Sequence, residues 1–494
     1  PVRDTEDGHR SVTAEFGQED RPLAPQRADS LSTKKLADVR AGRPGAPRHR
    51  RATAAWRDRD RRATKLETVM NKEPKLRIMR RTLGYIAARA DEMPLGSVAE
   101  PRKGKVKLKM RTALTTLIVG IAAGCKGLGE VEELTDWLGR GARKLLRLWR
   151  RVPDTTLRDL IVKLEPEEIR KLIRHSMRQA HRRKQIKHDL PVRVASMDGK
   201  ATSTRLWDKL TAVVKYGQIQ GARAVVRTIT TCLVSIRGRP CLDAHPIPPK
   251  TNEMGAFIPA LDALLAAYAW LRLDVIMYDS GACSLANADA IIKRALDYVL
   301  CLTDNQPTLH DEACRLLGSK VVGQHIAETA DIDGSQIVIR RLYLTDKMTG
   351  YLDWKHLRAV VRVQSEWIDK VTGEVAVENR YYLTSMANDR LTGDQWLLLI
   401  RRRWSVENEN HNTFDTVLHE DKRSWVLDPR GMVVVMLLRR LTYNMLTMYR
   451  SVTLRCEASR AVPWGTLMRT IHNSLIKATE EAMAHVRRRN VVPD

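Results

Sequence analysis

Short apolar segments alternate with longer helix-like segments between residues 191 and 302. Three strand-like segments come first, PVRVASMD, ARAVVRTITTCLVSI and RPCLDAHPI. The helix-like segment NEMGAFIPALDALLAAYAWL then leads to a fourth strand, LDVIMYDSG, and SLANADAIIKRAL leads to a fifth, DYVLCLT. Consecutive strands followed by strand–helix alternation predict an α/β fold, with helices packed against a mixed sheet.

The flanking regions differ in composition, which predicts further parts of the chain. A basic arm poor in large apolar residues cannot offset its chain entropy by burial, so we expect it to be disordered. Apolar residues at helical spacing predict a helical domain after it. The predicted parts are the arm at 1–65, the helical domain at 66–190, the first part of the core at 191–334, a β-rich insertion at 335–386, the rest of the core at 387–430 and C-terminal helices at 431–494.

The charge of the chain indicates a polyanionic partner. Lysine and arginine outnumber aspartate and glutamate by 85 to 58, which gives a formal net charge of +27. Such an excess favours DNA or RNA first and an anionic membrane surface second. In the helical domain we expect the basic helix ending in Arg178, Arg182 and Arg183 to contact DNA, and the alternative is a solvated helix face.

The cysteines and the apolar segments exclude several classes of protein. Seven scattered cysteines without a CxxC pair favour reduced thiols, and they argue against a zinc site or a disulfide framework. The longest apolar run, at 113–124, is shorter than the ~20 residues that span a bilayer. No apolar segment near the N-terminus predicts a secretory signal, and because the chain begins with Pro1 we expect its natural start to lie upstream. We therefore expect a cytoplasmic, nucleoid-associated protein and no membrane partner.

Three acidic residues stand out as candidate ligands. Asp198 in MDGK and Asp279 in YDSG each end a predicted strand and precede small residues that leave room for a ligand. Glu407 lies on a predicted helix, with Arg403 four residues before it and His411 four residues after it. Taken singly, each aspartate is also a common turn or cap residue, and an Arg–Glu pair is commonly a surface ion pair worth ~0.2–0.5 kcal/mol.

Carboxylates in this pattern suit magnesium. Mg²⁺ prefers oxygen ligands in near-octahedral geometry. Two such ions ~3.5–4 Å apart can activate a nucleophile and stabilise the leaving oxygen of a phosphodiester. We therefore expect Asp198, Asp279 and Glu407 to converge in one cluster that binds Mg²⁺, with Mn²⁺ able to substitute, and both aspartates to be open to solvent.

The order of these motifs resembles the DDE transposases of bacterial insertion sequences, in the branch with a β insertion before the catalytic glutamate. The resemblance spans roughly residues 110–450. It is carried by MDGK, by PPKTNEMGAFIPALDALL with LDVIMYDSGACSLANADAI, by DYVLCLTDNQPTLHDE and by IRRRWSVENENHNTFDTVLHEDKRSW. The resemblance implies an RNase H-like core with Asp198, Asp279 and Glu407 as metal ligands.

The resemblance also implies roles for polar neighbours of the three acids. Those expected to contact DNA are Arg403, His411 and Lys200. Asn305 and Gln306 are expected to position DNA or the second aspartate. Some related transposases carry a Tyr–Arg–Glu–Lys signature on the glutamate-bearing helix. Here Ile400 takes the tyrosine position and Phe414 the lysine position, so we expect Lys422 and Arg423 to substitute in holding DNA.

The implied reaction has two steps. Hydrolysis at the end of the element frees a 3′-OH, and that hydroxyl then attacks target DNA, both with two metal ions. Double-stranded DNA at the element ends and the target is the implied partner, held by a homodimer in a synaptic complex. Two alternatives remain open: a decayed or repurposed copy that binds DNA without catalysis, and an RNase H-like nuclease that lacks strand transfer.

Overall fold

The computed structural model describes residues 75–205, 218–220, 223–318, 325–484 and 486. The predicted basic arm at 1–65 lies outside the described residues. The division of the chain into six parts stays a prediction.

The described chain begins with a helical part, Lys75 to Arg182, as predicted. Apolar residues at helical spacing give each helix one buried face, and Pro166 starts the last one at a position where proline is tolerated. The helices are α1 (Lys75–Glu92), α2 (Met110–Ala122), α3 (Leu128–Trp137), α4 (Arg140–Leu146), α5 (Asp154–Lys163) and α6 (Pro166–Arg182).

All described strands belong to one sheet of ten. The five strands of the predicted core region and one short addition are β1 (Val194–Arg205), β2 (Gln218–Gln220), β3 (Arg223–Leu233), β4 (Cys241–Pro246), β5 (Val275–Tyr278) and β6 (Asp297–Leu302). Strand β1 pairs antiparallel with β3, and β3 pairs antiparallel with β4. On its other side β1 runs parallel to β5, and β5 runs parallel to β6. Three antiparallel strands followed by two parallel ones form an RNase H-like core, so the predicted α/β fold class is confirmed.

The β-rich region continues this sheet. Its strands are β7 (Ala327–Asp333), β8 (Gln336–Thr345), β9 (Ala359–Asp369) and β10 (Val375–Thr384). Each pairs antiparallel with the next, and β10 pairs antiparallel with β6. The first of these strands precedes the predicted limit at residue 335, because its polar sequence AETADID lacks the apolar alternation that marks its neighbours.

The helices that pack against the sheet lie between its strands and after them. They are α7 (Glu253–Tyr268), α8 (Leu285–Ile292), α9 (Pro307–Leu317), α10 (Gly393–Arg403), α11 (Pro429–Met448), α12 (Glu457–Arg460), α13 (Trp464–Lys477) and α14 (Glu480–Met483). After α10 the chain continues as two π-helical segments, π1 (Val406–His411) and π2 (Thr413–Val417), and a third, π3 (Tyr449–Thr453), follows α11.

Helix α11 joins the N-terminal helices α1–α6 to the sheet. Every residue of this helix except Arg430 is buried. It packs against α2, α5 and α6 on the helical side and against β3 and β4 of the sheet. A helix that is covered on all sides forms the centre of the fold rather than one of its faces.

Helix α7 with the turn after it, Glu253–Leu271, is long and apolar enough to cross a membrane by length and composition alone. In the fold it is a core helix, because Phe257, Leu261 and Leu264 are buried. The Phe257 ring meets the Tyr278 ring of β5 edge-on, with 5.1 Å between the ring centroids.

Candidate active site

Asp198 and Asp279 lie at matching positions on neighbouring parallel strands. The paired residues of β1 and β5 end at Ser196 and Met277, and each aspartate follows two residues later. Side chains at equivalent register positions of adjacent strands point to the same face of a sheet. The two carboxylates therefore share one face and one edge, with 16% of the Asp198 side chain and 41% of the Asp279 side chain exposed.

One detail of the prediction was wrong. Asp279 directly follows the end of β5, but Asp198 lies inside β1, which runs on to Arg205. The extension DGKATSTR has few apolar residues, so its pattern does not mark it as a strand. It forms because β3 supplies a hydrogen-bonding partner along its whole length, including Thr230 opposite Asp198.

Arg403 forms an ion pair with Asp279. The last residue of α10 places a guanidinium nitrogen 2.7 Å from Oδ1 of Asp279, and only 5% of Arg403 is exposed. Burial alone would lower the pKa of Arg403, but the charges of Asp279 and Asp198 outweigh it and the pKa is raised. The Arg403 guanidinium also stacks on Trp404, 3.9 Å from the ring centroid, while Arg380 lies 3.7 Å from the same centroid.

His411 lies on Asp198. Its Nδ1 atom is 3.3 Å from Oδ2 of Asp198, and 8% of the residue is exposed. Burial, with the positive charges of Lys200 and Arg440, lowers the pKa of His411 well below its usual value, so the ring is neutral. Burial also raises the pKa of Asp198 to about 8; Arg403 opposes this, whereas Asp279, Glu253 and Glu407 add to it. At neutral pH the contact is therefore between a neutral ring and a protonated carboxyl group, and it is not an ion pair.

Glu407 lies close enough for its charge to act on Asp198, but its side chain is exposed. It belongs to π1, not to the α-helix that the sequence predicts. A π-helix has i to i+5 hydrogen bonds, so spacings of four no longer align residues on one face. Arg403 and His411 turn inward to the aspartates, whereas Glu407 faces solvent.

The expected single cluster of Asp198, Asp279 and Glu407 is not present. Within the described ranges, no group of three or more histidine, cysteine, aspartate or glutamate side chains stands close enough to hold a metal ion. Instead, Arg403 contacts Asp279 and His411 contacts Asp198. The donor set still fits a magnesium ion, because it consists of carboxylate oxygens on one edge.

A fourth carboxylate, Glu253, was not predicted. It lies in the first turn of α7, after Asn252, whose side chain caps the helix by accepting from the Gly255 N–H at 2.9 Å. The Tyr278 hydroxyl donates to Oε1 of Glu253 at 2.8 Å. The signal was present in KTNE, since a glutamate starting the helix before β5 must lie near the strand edge where Asp279 emerges.

Asn305 and Gln306 hold the turn that follows Asp279. The Asn305 amide donates to the carbonyl oxygens of Ser280 at 2.7 Å and Cys283 at 3.2 Å. The Gln306 amide donates to the Cys283 oxygen, also at 3.2 Å. These contacts tie both residues to the turn after the second aspartate, and a role in positioning that aspartate or in contacting DNA stays a prediction.

Lys200 is buried in an ion-pair network. Its ammonium group lies 2.6 Å from both carboxylate oxygens of Asp415, in π2, and 3.3 Å from Asp421. Burial raises the pKa of Asp415 to about 6, although Lys200 opposes this. Its predicted contact with DNA stays untested, but in this structure the lysine joins β1 to the segment that carries Glu407.

Beside this network lies a fully buried one. Glu420 pairs with Arg440 of α11, and Arg439 lies 3.9 Å from the same carboxylate oxygen. Phe414, at the lysine position of the related signature, is buried under the Arg440 guanidinium, which lies 4.3 Å from its ring centroid. Ile400 is likewise buried.

The remaining predicted DNA contacts are on the surface. Lys422, Arg423, Arg178 and Arg182 are exposed, whereas Arg183 is half-buried and pairs with Glu92. A basic groove that was not predicted lies between the loop before α2 and the loop before α5. Its lining includes Arg102, Lys103, Lys105, Lys107, Arg150 and Arg151.

The sheet order defines an RNase H-like core, with the two register-matched aspartates at its edge. Comparison with known proteins is more specific: residues 228–445 match the family described as transposase DDE domain. The predicted resemblance to DDE transposases is confirmed over this segment, which is less than half of the chain and begins after Asp198.

Two individual proteins are also similar to the chain. An uncharacterised protein in the dhlA 3′ region of Xanthobacter autotrophicus is 33% identical over 146 residues, which is 28% of this chain and 47% of that protein. The chain thus matches about half the length of this curated relative. A cryo-EM structure of a piggyBac transposase synaptic complex with hairpin DNA covers 86% of this chain and 88% of its own, with 12% identity and a TM-score of 0.38. A TM-score this low does not establish a shared fold.

Proposed function

We propose that this chain is a DDE-type transposase that cleaves DNA at the ends of its element and joins the freed 3′-OH to target DNA. The observation that carries the proposal is the register match of Asp198 and Asp279 on β1 and β5, beside the charge of Glu407. The matched DDE domain supports the same reading.

Asp198, Asp279 and Glu407 would hold divalent magnesium, with manganese able to substitute. Such ions supply Lewis-acid charge to the phosphate and lower the pKa of water. Because Arg403 and His411 now contact the aspartates, both must leave them when the carboxylates take up cations. Released beside the sheet edge, the Arg403 guanidinium is placed to bind a phosphate of the DNA backbone.

The partner follows from charge and from the family. A net charge of +27 and the basic groove beside α2 favour double-stranded DNA. A homodimer that holds two DNA ends together is part of the proposal.

The test uses a supercoiled plasmid that carries the DNA segments flanking the gene for this chain, with Mg²⁺ or Mn²⁺. We expect cleavage at those ends and joined products. Asp198→Asn, Asp279→Asn and Glu407→Gln should each reduce cleavage more than about a hundredfold, since even residues that only support metal ligands are worth 10–100-fold. Glu409→Gln is the matched control, because Glu409 is an exposed acid of the same segment π1.

Two other outcomes would replace the proposal. End-specific binding with no nicking by the wild-type protein would show a copy that binds DNA without catalysis, which the Arg403–Asp279 pair favours as the second candidate. Cleavage without any joined product would show a nuclease that lacks strand transfer.

A further inference from the structure

Glu253 contacts the chain next to both aspartates. Its Oε1 atom accepts from the hydroxyl of Tyr278, the residue before Asp279. On the other side its carboxylate lies directly against Gly199, the residue after Asp198. One carboxylate thus joins the ends of β1 and β5 where the two aspartates emerge.

Gly199 has the space for this contact because it lacks a side chain. A Cβ atom at this position would overlap the Glu253 carboxylate. The sequence predicts that the small residue after Asp198 leaves room for a ligand, but in the structure the protein's own glutamate occupies that room. Gly199 has no positive φ angle, so its backbone accepts other residues.

The surroundings of Glu253 show that the contact is built into the core. Tyr278 is buried, and its ring packs edge-on against Phe257 from the second turn of α7. Glu253 is itself mostly buried, and burial raises its pKa, opposed by the Tyr278 hydrogen bond. A mostly buried carboxylate that accepts from Tyr278 and packs against Gly199 is held in one place, because losing its donor leaves a polar group unsatisfied.

We propose that Glu253 is a positioning residue that sets the separation and direction of Asp198 and Asp279 by contacting the residue next to each of them, through a hydrogen bond from Tyr278 and by packing against Gly199. The inference rests on the proposed function, because it concerns the same two aspartates. It adds a fourth acid, on α7, to the three that the sequence suggests.

The test compares Glu253→Ala, Glu253→Gln and Gly199→Ala with the wild-type protein. We expect Glu253→Ala to weaken Mn²⁺ binding, measured by electron paramagnetic resonance, and to lower kcat for plasmid cleavage, each by about 10–100-fold as for other partners of metal ligands. The affinity for the DNA should stay within about twofold, because Glu253 is mostly buried and carries no positive charge that could pair with a phosphate. Asp262→Ala, an exposed ion-pair residue of the same helix, is the matched control and should match the wild type.

Two further variants separate positioning from a general loss of stability. Glu253→Gln keeps an acceptor for Tyr278 in the same volume, so it should recover a large part of the kcat that Glu253→Ala loses. Gly199→Ala displaces the carboxylate without removing it, so it should reproduce the Glu253→Ala defect. The double variant Gly199→Ala/Glu253→Ala should be no worse than Glu253→Ala, because the methyl group then meets no carboxylate. If Glu253→Ala does not fold, Gly199→Ala provides the same measurement.

The outcomes are distinct. Wild-type Mn²⁺ binding and kcat in both Glu253→Ala and Gly199→Ala would overturn the inference and leave the proposed function standing. A Glu253→Gln variant as defective as Glu253→Ala would overturn positioning, because charge alone would then matter. A wild-type protein that neither binds Mn²⁺ nor cleaves would overturn the proposed function itself.

Discussion

Asp198 and Asp279 differ in the charge that each one faces. Asp279 has the Arg403 guanidinium on it, whereas Asp198 meets a neutral imidazole and lies near three other carboxylates. Without a metal ion, the first aspartate therefore holds a proton up to a pH of about 8.

This difference predicts how stability changes with pH in the metal-free protein. The folded pKa of Asp198 is about 8 and its ordinary value is 3.8, so folding takes up a proton between these values. The stability that protonated Asp198 contributes is complete below pH about 4, and it is lost as pH rises to about 8, at up to about 1.4 kcal/mol per pH unit. The free energy of unfolding of Asp198→Asn should therefore rise relative to that of the wild type from pH 5 to pH 8.

Urea titrations in EDTA at four pH values would measure this change. Asp262→Asn is the control, because Arg294 lowers the pKa of Asp262 and its charge is constant above pH 5. A constant difference between Asp198→Asn and the wild type would contradict the prediction.

Single residues show the limit of reasoning from sequence at the candidate site. Asp198 and Asp279 could be proposed because their strands are apolar and end in acids. Glu253 had a signal in KTNE that was missed, but the burial of Lys200 had none, because it depends on which elements fold beside β1. Only tertiary contacts decide that a lysine meets Asp415 rather than solvent.

The segment between α10 and α11, which carries Glu407, is anchored by buried charges. Glu420 follows π2 and pairs with Arg440 in the centre of α11. Removing one partner of a buried ion pair leaves an uncompensated charge, which costs about 3–5 kcal/mol. The Glu420 carboxylate is therefore an anchor of this segment, in addition to the Lys200–Asp415 pair.

Glu420→Gln should accordingly lower the free energy of unfolding by about 3–5 kcal/mol. Glu457→Gln, which breaks an exposed pair with Arg237, should cost at most about 1 kcal/mol. Urea denaturation of the two variants makes the comparison. Equal losses in the free energy of unfolding would show that burial does not make the Glu420–Arg440 pair more stabilising than an exposed pair.

The presence of helices and strands was easier to predict from the sequence than where each one ends or whether a helix is α or π. The apolar runs of β5 and β6 and the amphipathic helices α5 and α6 are local patterns, and the structure contains them. The length of β1 and the polar strand β7 come from pairing with neighbours, which no local pattern encodes. The π-helical turns after α10 also escaped prediction, since their residues would suit an α-helix equally well.

The whole molecule is strongly basic, and part of that charge lies in the groove beside α2. Lys103, Lys105 and Lys107 are exposed there, with Arg150 donating to the Lys107 carbonyl oxygen at 2.7 Å. Neutralised phosphates release counterions, so each contact adds about 0.9 to the slope of log Kd against log salt. We therefore expect this groove to be a surface for duplex DNA.

A triple Lys103→Gln, Lys105→Gln, Lys107→Gln variant should lower that slope by about 2–3 for duplex DNA of any sequence. Fluorescence anisotropy at several salt concentrations measures it. The control removes three exposed lysines of the β-rich region, Lys347, Lys355 and Lys370, with the same change in net charge. Equal slopes in the two variants would show that net charge, and not this groove, sets the affinity.

The β-rich region shares its hydrogen bonds with the core, because β10 pairs with β6 along four residues. Excising residues 325–386 would leave β6 as a bare edge, with a row of unpaired amides beside one of the most apolar strands in the chain. Exposed apolar edges recruit strands from other molecules. A shortened chain would therefore tend to aggregate, and gains or losses in this region are tolerated only where they keep β10 in place.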